Sequence, residues 1–120
     1  MDAVTEPTLS QLRDRLRDFR DARDWEQFHT LKDLAAAITV EAAELQEIFL
    51  WQQSGQDRDV LGARKADIEG ELADVLIHVL NFSLAADVDL IAAVERKIEV
   101  NESRYPADKA RGRSTKYTSL

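Results

Sequence analysis

The chain has 120 residues, no cysteine, and 16 basic against 23 acidic side chains, which gives a net charge of −7. The length predicts one domain over residues 1–120, and the absence of cysteine excludes disulfides, zinc–thiolate sites and a thiol nucleophile. The acidic balance argues against a nucleic-acid polymer as partner, because that affinity depends on clustered Lys and Arg.

The charge is distributed unevenly along the chain. Residues 1–103 carry 11 basic and 22 acidic side chains, whereas residues 104–120 carry 5 basic and 1 acidic. We expect the basic C-terminal tail over 105–120 either to fold against the acidic part or a phosphate, or to stay passive in solvent. The polar N-terminus and the lack of an apolar run near the roughly 20 residues of a membrane span predict a soluble cytoplasmic protein without a membrane partner.

Four helices are predicted, because Gly and Pro are few and no alternating strand pattern persists. Thr8 and Gln11 fit a capping box before the first helix, and Thr30 and Asp89 are N-cap candidates for the second and fourth. Segment 54–62 is expected to be a loop. The approximate bounds of the four helices are 9–23, 31–53, 63–86 and 90–104.

The two middle helices are apolar on nearly every side. Segment 75–86 has no charged residue, and glutamates are the only charged residues in 34–51. A helix that is apolar all round must be covered all round, which the two outer helices of so short a chain do not easily achieve. We therefore predict an all-α four-helix bundle that assembles as a homodimer or homotetramer. The alternative is that the first and fourth helices cover the two middle helices within a single chain.

Two pairs of carboxylates lie on the middle helices. Glu41 and Glu44 are three residues apart on the second helix, and Glu71 and Asp74 are three apart on the third, so each pair shares one helix face. Like charges at this spacing repel, and a buried carboxylate without a partner is costly. Because Lys and Arg are scarce on these helices, we expect the pairs to face each other around a divalent cation. The alternative is two ordinary solvated helix faces.

The donor types favour Mg²⁺, with Mn²⁺ as a possibility, because the ligands are hard oxygens without cysteine or histidine at ligand spacing. A di-iron bundle is disfavoured, since it requires a Glu-x-x-His motif and His78 is the only histidine in the two helices. Mg²⁺ held by few carboxylates usually takes further ligands from substrate phosphates. No glycine-rich phosphate loop is present, so the metal and side chains would hold the phosphates.

Six short motifs stand out along the chain: RDWEQFH (23–29), EAAEL (41–45), FLW (49–51), ELADVLI (71–77), Asn101 with RYP (104–106), and KYT (116–118). With these motifs the chain resembles the all-α nucleoside triphosphate pyrophosphohydrolase (MazG-like) superfamily, and within it the dCTP pyrophosphatase branch. The similarity covers about residues 10–120.

The resemblance implies Mg²⁺-dependent hydrolysis of a nucleoside triphosphate, with dCTP or a modified dCTP preferred, to the monophosphate and pyrophosphate in nucleotide-pool house-cleaning. The alternative substrates are dUTP, dTTP or a broad range of deoxynucleoside triphosphates. The resemblance implies that the four paired carboxylates are the metal ligands, and Glu47 is a water-orienting base, a supporting residue or a surface residue. The competing interpretations are a non-catalytic nucleotide-sensing helical oligomer and a purely structural one.

The resemblance also implies residues that contact the nucleotide. Trp25 and His29 would lie against it, and Trp51 would help to form the base pocket; core packing of the tryptophans and capping of the second helix by His29 are the alternatives. Three residues on one face of the fourth helix would contact the phosphates or the sugar: Lys97, Asn101 and Arg104. The alternative is that the charged side chains among them are solvated.

Two positions depart from the branch. His78 stands where a close relative has a tyrosine that contacts the nucleotide, so it stacks on the base, changes the base preference, or packs as a core histidine beside Asp74. A histidine near the amino-terminal helix of the branch is absent, and Leu16 occupies that region.

Overall fold

The computed structural model describes residues 5–120, and within that range the protein is all-α. Among these residues no single helix is both long and apolar enough to cross a membrane, although the fourth and fifth α-helices meet the length and composition test together as a bent pair. The α-helices are α1 Leu9–Ala22, α2 Leu31–Phe49, α3 Asp57–Ala63, α4 Lys65–Ala86, α5 Leu90–Arg104 and α6 Ala107–Ala110, and 3-10 helices span Glu26–Phe28 and Tyr117–Ser119.

The chain divides into two compact units, Met1–Asp87 and Val88–Leu120. The first contains α1 to α4 and the second contains α5, α6 and the last 3-10 helix. Each unit is described by itself below, and the assignment of residues 1–120 to one domain stays a prediction.

Local capping sets where the main helices begin. The Thr8 hydroxyl accepts from the Gln11 backbone N–H at 3.1 Å while the Gln11 side chain accepts from the Thr8 N–H at 2.8 Å, which is the expected capping box. The side chains of Thr30 and Asp89 likewise accept from backbone N–H groups in the first turns of α2 and α5. These short-range bonds satisfy donors that have no partner within the helix.

The prediction of a loop over 54–62 is wrong, because α3 occupies most of this segment. Asp57 and Asp59 lie in the first turn of α3, where negative charge is favourable at a helix N-terminus. Val60 is buried, so the helix is stabilised by packing that its short sequence does not reveal. Gly62 is tolerated inside it.

The second helix ends earlier than its apolar pattern suggests. α2 stops at Phe49, and the chain passes through turns to Gly55, whose φ of 91° is in the left-handed region that glycine adopts without strain. Trp51 therefore lies in the connection that follows α2 and not within a helix.

The basic tail is structured within the second unit. The ring of Tyr117 packs edge-on against Tyr105 with centroids 5.9 Å apart, and the Arg104 guanidinium lies 4.6 Å from the Tyr117 ring centroid. The end of the chain therefore folds back against the end of α5.

α4 is the centre of the first unit. It contacts α1, α2 and α3, and its contact with α2 is the most extensive. The buried apolar side chains come from three helices that meet there: Leu34, Ile48, Val60 and Leu80. This packing fixes one face of α2 against one face of α4, and so decides which of their carboxylates meet.

An apolar surface remains exposed on the same unit. Leu72, Leu76 and Ile77 of α4 are exposed, and a groove of about 320 Å³ between α1 and α4 has mostly apolar walls. Leu12, Leu16 and Phe19 of α1 form the opposite wall.

Candidate active site

Three carboxylates from two helices converge in the first unit. Glu41 and Glu44 lie one turn apart on α2 and Glu71 faces them from α4, so that one oxygen of each lies within 4.8 Å of the others. Asp74 is outside this group of three, although its negative charge contributes to a raised pKa at Glu41. The structure thus brings together three of the four predicted ligands.

Two oxygens of these carboxylates have no hydrogen-bond partner among the described residues. Oε2 of Glu41 and Oε2 of Glu71 are buried and accept no hydrogen bond from the described residues. Burial, followed by a hydrogen bond with Glu44 and its like charge, raises the pKa of Glu71 to about 7. Burial and Glu44 also raise the pKa of Glu41. Without a cation, Glu71 is therefore only partly ionised near neutral pH.

A divalent cation fits this cluster. The donors are all carboxylate oxygens, two of which are buried without partners, and hard oxygen donors of this kind suit Mg²⁺ or Mn²⁺. The acidic cluster of Glu41, Glu44 and Glu71 can therefore hold a metal ion.

The affinity for Mg²⁺ is expected to fall about tenfold for each pH unit below 7, because Glu71 must release its proton before it can act as a ligand. Calorimetric titration with Mg²⁺ between pH 6 and pH 8 measures this, and repeating it in buffers of different ionisation enthalpy counts the protons released. An affinity for Mg²⁺ that is constant across this range, with no proton release, would contradict a proton on Glu71 in the metal-free protein.

A cavity of about 430 Å³ opens beside the carboxylates, within the size range of small-molecule sites. Glu44 and Glu71 lie in its wall together with Trp51, which is 88% exposed and follows Glu44 by seven residues along the chain. Its walls are Glu44, Glu47, Ile48, Trp51, Arg64, Asp67 and Glu71. Two predicted residues, Glu47 and Trp51, thus share a cavity with Glu44 and Glu71.

Arg64 and Asp67 line this cavity but were not among the predicted site residues. Asp67 precedes Glu71 by four residues, so helical periodicity places both on one face of α4, and Arg64 directly precedes this helix. That spacing was available in the sequence, but it gains meaning only once α4 is known to present this face to α2.

One histidine, His78, lies beside Glu41, and a second, His29, lies near His78. Nε2 of His78 is 3.7 Å from Oε1 of Glu41, and Nδ1 of His78 is buried without a hydrogen-bond partner among residues 5–120. His78 is therefore not a fully hydrogen-bonded core histidine. Burial, followed by the positive charges of Arg20 and His78, lowers the pKa of His29. His29 is not the cap of α2, since Thr30 fills that position.

Trp25 combines packing with exposure. It packs edge-on against Phe19 with ring centroids 5.7 Å apart, yet it remains 44% exposed. It directly precedes the 3-10 helix Glu26–Phe28, which leads to His29. Its contact with a nucleotide stays a prediction, as does that of His29.

The predicted phosphate and sugar contacts lie in the second unit. Lys97, Asn101 and Arg104 are exposed along α5, and Arg104 stacks on Tyr117. Their role toward a nucleotide stays a prediction.

Comparison with known proteins places the chain in a family. The model of the MazG-like family matches residues 36–120. Human dCTP pyrophosphatase 1 is 40% identical over 117 residues, which cover 96% of this chain and 69% of that protein. The bovine dCTP pyrophosphatase 1 is 36% identical over 118 residues, with 97% and 70% covered.

A solved structure agrees with this assignment. The crystal structure of a pyrophosphatase from Archaeoglobus fulgidus matches with a TM-score of 0.78 and 44% sequence identity, over 88% of this chain and 99% of that one. The predicted all-α fold and the predicted resemblance are therefore confirmed. The chain belongs to the MazG-like family and is a nucleotide pyrophosphohydrolase.

Proposed function

We propose that this enzyme is a Mg²⁺-dependent nucleoside triphosphate pyrophosphohydrolase that converts dCTP, or a modified dCTP, to the monophosphate and pyrophosphate. The observation that carries the proposal is the convergence of Glu41, Glu44 and Glu71 on a cavity that also contains an exposed tryptophan. The names of the human and bovine relatives support the choice of dCTP.

The metal would be held by Glu41, Glu44, Glu71 and Asp74. When bound, Mg²⁺ neutralises the charge of the triphosphate and lowers the pKa of a bound water. Asp74 is included because it lies one turn after Glu71 on α4 and its charge acts on Glu41. Replacing one of these carboxylates by a neutral side chain would weaken the metal site.

Glu47 is the residue best placed to handle a proton. It follows Glu44 by one turn of α2 and lines the same cavity, so it can accept a proton from a water that attacks phosphorus. The alternatives, a supporting residue and a surface residue, predict a smaller loss on replacement by glutamine.

Trp51 is proposed to hold the base. Its indole is almost fully exposed at the wall of the cavity, and an exposed aromatic face stabilises a nucleobase by stacking. Trp51 lies seven residues after Glu44 along the chain and lines the same cavity as Glu44 and Glu71. A nucleotide can therefore place its phosphates at the carboxylates and its base at Trp51.

We also propose that the enzyme is a homodimer or homotetramer. The support is the exposed apolar surface of α4 and the groove that it forms with α1, since contiguous exposed apolar side chains are typical of protein interfaces. The family model runs through both units, which supports their working as one domain.

A pyrophosphate-release screen over the canonical and modified deoxynucleoside triphosphates, with and without Mg²⁺, tests the proposed activity. We expect release from dCTP or a modified dCTP only when Mg²⁺ is present. Binding of nucleotide without any release would favour the non-catalytic sensing module, and release from every triphosphate at one rate would contradict the cytosine preference alone.

A further inference from the structure

An ion pair lies in the wall of the cavity beside Trp51. Nε of Arg64 donates to Oδ2 of Asp67 at 3.1 Å, and both side chains line the cavity with the tryptophan. This bond uses one of the five N–H donors of the guanidinium and one of the two carboxylate oxygens. Within residues 5–120 the pair therefore offers further donors beside a second acceptor oxygen.

The pair is displaced from the acidic cluster along the helix. Asp67 precedes Glu71 by about 6 Å of helix rise, and Arg64 directly precedes the first residue of α4. Trp51 lies in the connection that follows α2 and lines the same cavity. One end of the cavity is thus purely acidic, while the other holds an aromatic face with a donor–acceptor pair. The second end has the chemistry to recognise a base.

The order of donors and acceptors matches some bases and not others. Cytosine presents an amino donor beside two acceptors, N3 and O2, whereas uracil and thymine present a carbonyl oxygen beside an N–H, and guanine does the same. A carboxylate accepts from the cytosine amino group, and an arginine donates to ring acceptors. Adenine shares the amino donor and one acceptor but lacks the second acceptor.

We propose that the Arg64–Asp67 pair reads the edge of the base that stacks on Trp51 and selects cytosine. Oδ1 of Asp67 accepts from the amino group, and the terminal nitrogens of Arg64 donate to N3 and O2. With uracil or thymine, Asp67 faces a carbonyl oxygen and Arg64 faces an N–H, so neither is paired and binding weakens. The inference rests on the proposed function, because it requires a nucleotide in this cavity.

The test compares binding of the α,β-imido analogues of dCTP and dUTP, which are not hydrolysed, in the presence of Mg²⁺ by isothermal titration calorimetry. We expect the unaltered enzyme to bind the cytosine analogue at least about tenfold more tightly. Asp67→Asn is expected to reduce this ratio to within about threefold, because a carboxamide can present either its oxygen or its amino group to the base.

Glu69→Gln is the matched control. Glu69 lies on the same helix and forms an exposed ion pair with Lys65 at 3.8 Å, and it does not line the cavity. This variant is expected to keep the full ratio. The proposal is overturned by a ratio near one in the unaltered enzyme, by an unchanged ratio in Asp67→Asn, or by equal loss in Glu69→Gln.

Pyrophosphate release from dCTP separates this proposal from the proposed function. Pyrophosphate release from dCTP, together with an unchanged ratio of the affinities for the dCTP and dUTP analogues in Asp67→Asn, would overturn base selection by the Arg64–Asp67 pair. It would leave the proposed activity intact. Selective binding of the cytosine analogue without release from dCTP would instead overturn the activity and support the reading of the base.

Discussion

Replacement of Glu71 by glutamine is expected to reduce pyrophosphate release at least about a thousandfold and to raise the melting temperature of the metal-free protein at pH 8. The loss of activity follows from the loss of a charged ligand. The gain in stability follows because the carboxylate of Glu71 is held against those of Glu41 and Glu44. A neutral amide of similar shape removes this repulsion.

The sign of the pH dependence follows from the raised pKa of Glu71. The pKa is about 7 in the folded protein against the usual 4.5, so the stabilising contribution of the protonated carboxyl is complete below pH 4.5 and is lost as pH rises through about 7. The advantage of Glu71→Gln in metal-free buffer is therefore expected at pH 8 and absent near pH 4.5. Melting curves at the two pH values measure it.

Glu69→Gln serves as the control for this prediction, since it removes a carboxylate from the exposed side of the same helix. It is expected to retain turnover and to show no such pH-dependent gain. Addition of Mg²⁺ should raise the melting temperature of the unaltered protein and of Glu69→Gln but not of Glu71→Gln. Full turnover in Glu71→Gln would show that the cluster does not hold the metal.

Replacement of Trp51 by alanine is expected to lower kcat/KM for dCTP by about 10- to 100-fold, the range of a lost base–aromatic stack. The fold should be almost unaffected, because the side chain is 88% exposed and lies outside α2. Steady-state kinetics together with a melting curve separate the two effects.

Leu50→Ala is the matched control for Trp51→Ala. Leu50 is the preceding residue and is also exposed, but it does not line the cavity. It is expected to leave kcat/KM within about twofold, since a surface substitution of this kind changes free energies by less than about 0.5 kcal/mol. Equal losses in the two variants would indicate that the segment matters for its backbone and that Trp51 does not stack on the base.

The sequence located the candidate site through spacing. Carboxylates three residues apart on two apolar helices indicated that the helices meet there, and the structure brings Glu41, Glu44 and Glu71 within 4.8 Å of one another. The helix starts were equally accessible, because the caps at Thr8 and Thr30 depend on residues only three positions away.

α3 escaped the sequence analysis for a physical reason. It is only seven residues long, and a helix of that length is not stable by itself in water. Burial of Val60 supplies the stabilisation, and burial is a property of the folded unit. The glycines and charged residues of the segment between α2 and α4 are typical of a loop, so the sequence predicted one there.

By itself the sequence determined the all-α class, the caps, and the faces on which the carboxylates lie, because these depend on spacing along one helix. Only the tertiary structure decided that Asp74 lies outside the group of three and that Arg64, Asp67 and Trp51 share one cavity. The reason is that residues one turn apart share a face, whereas the rotation and register of α4 against α2 decide which of them meet.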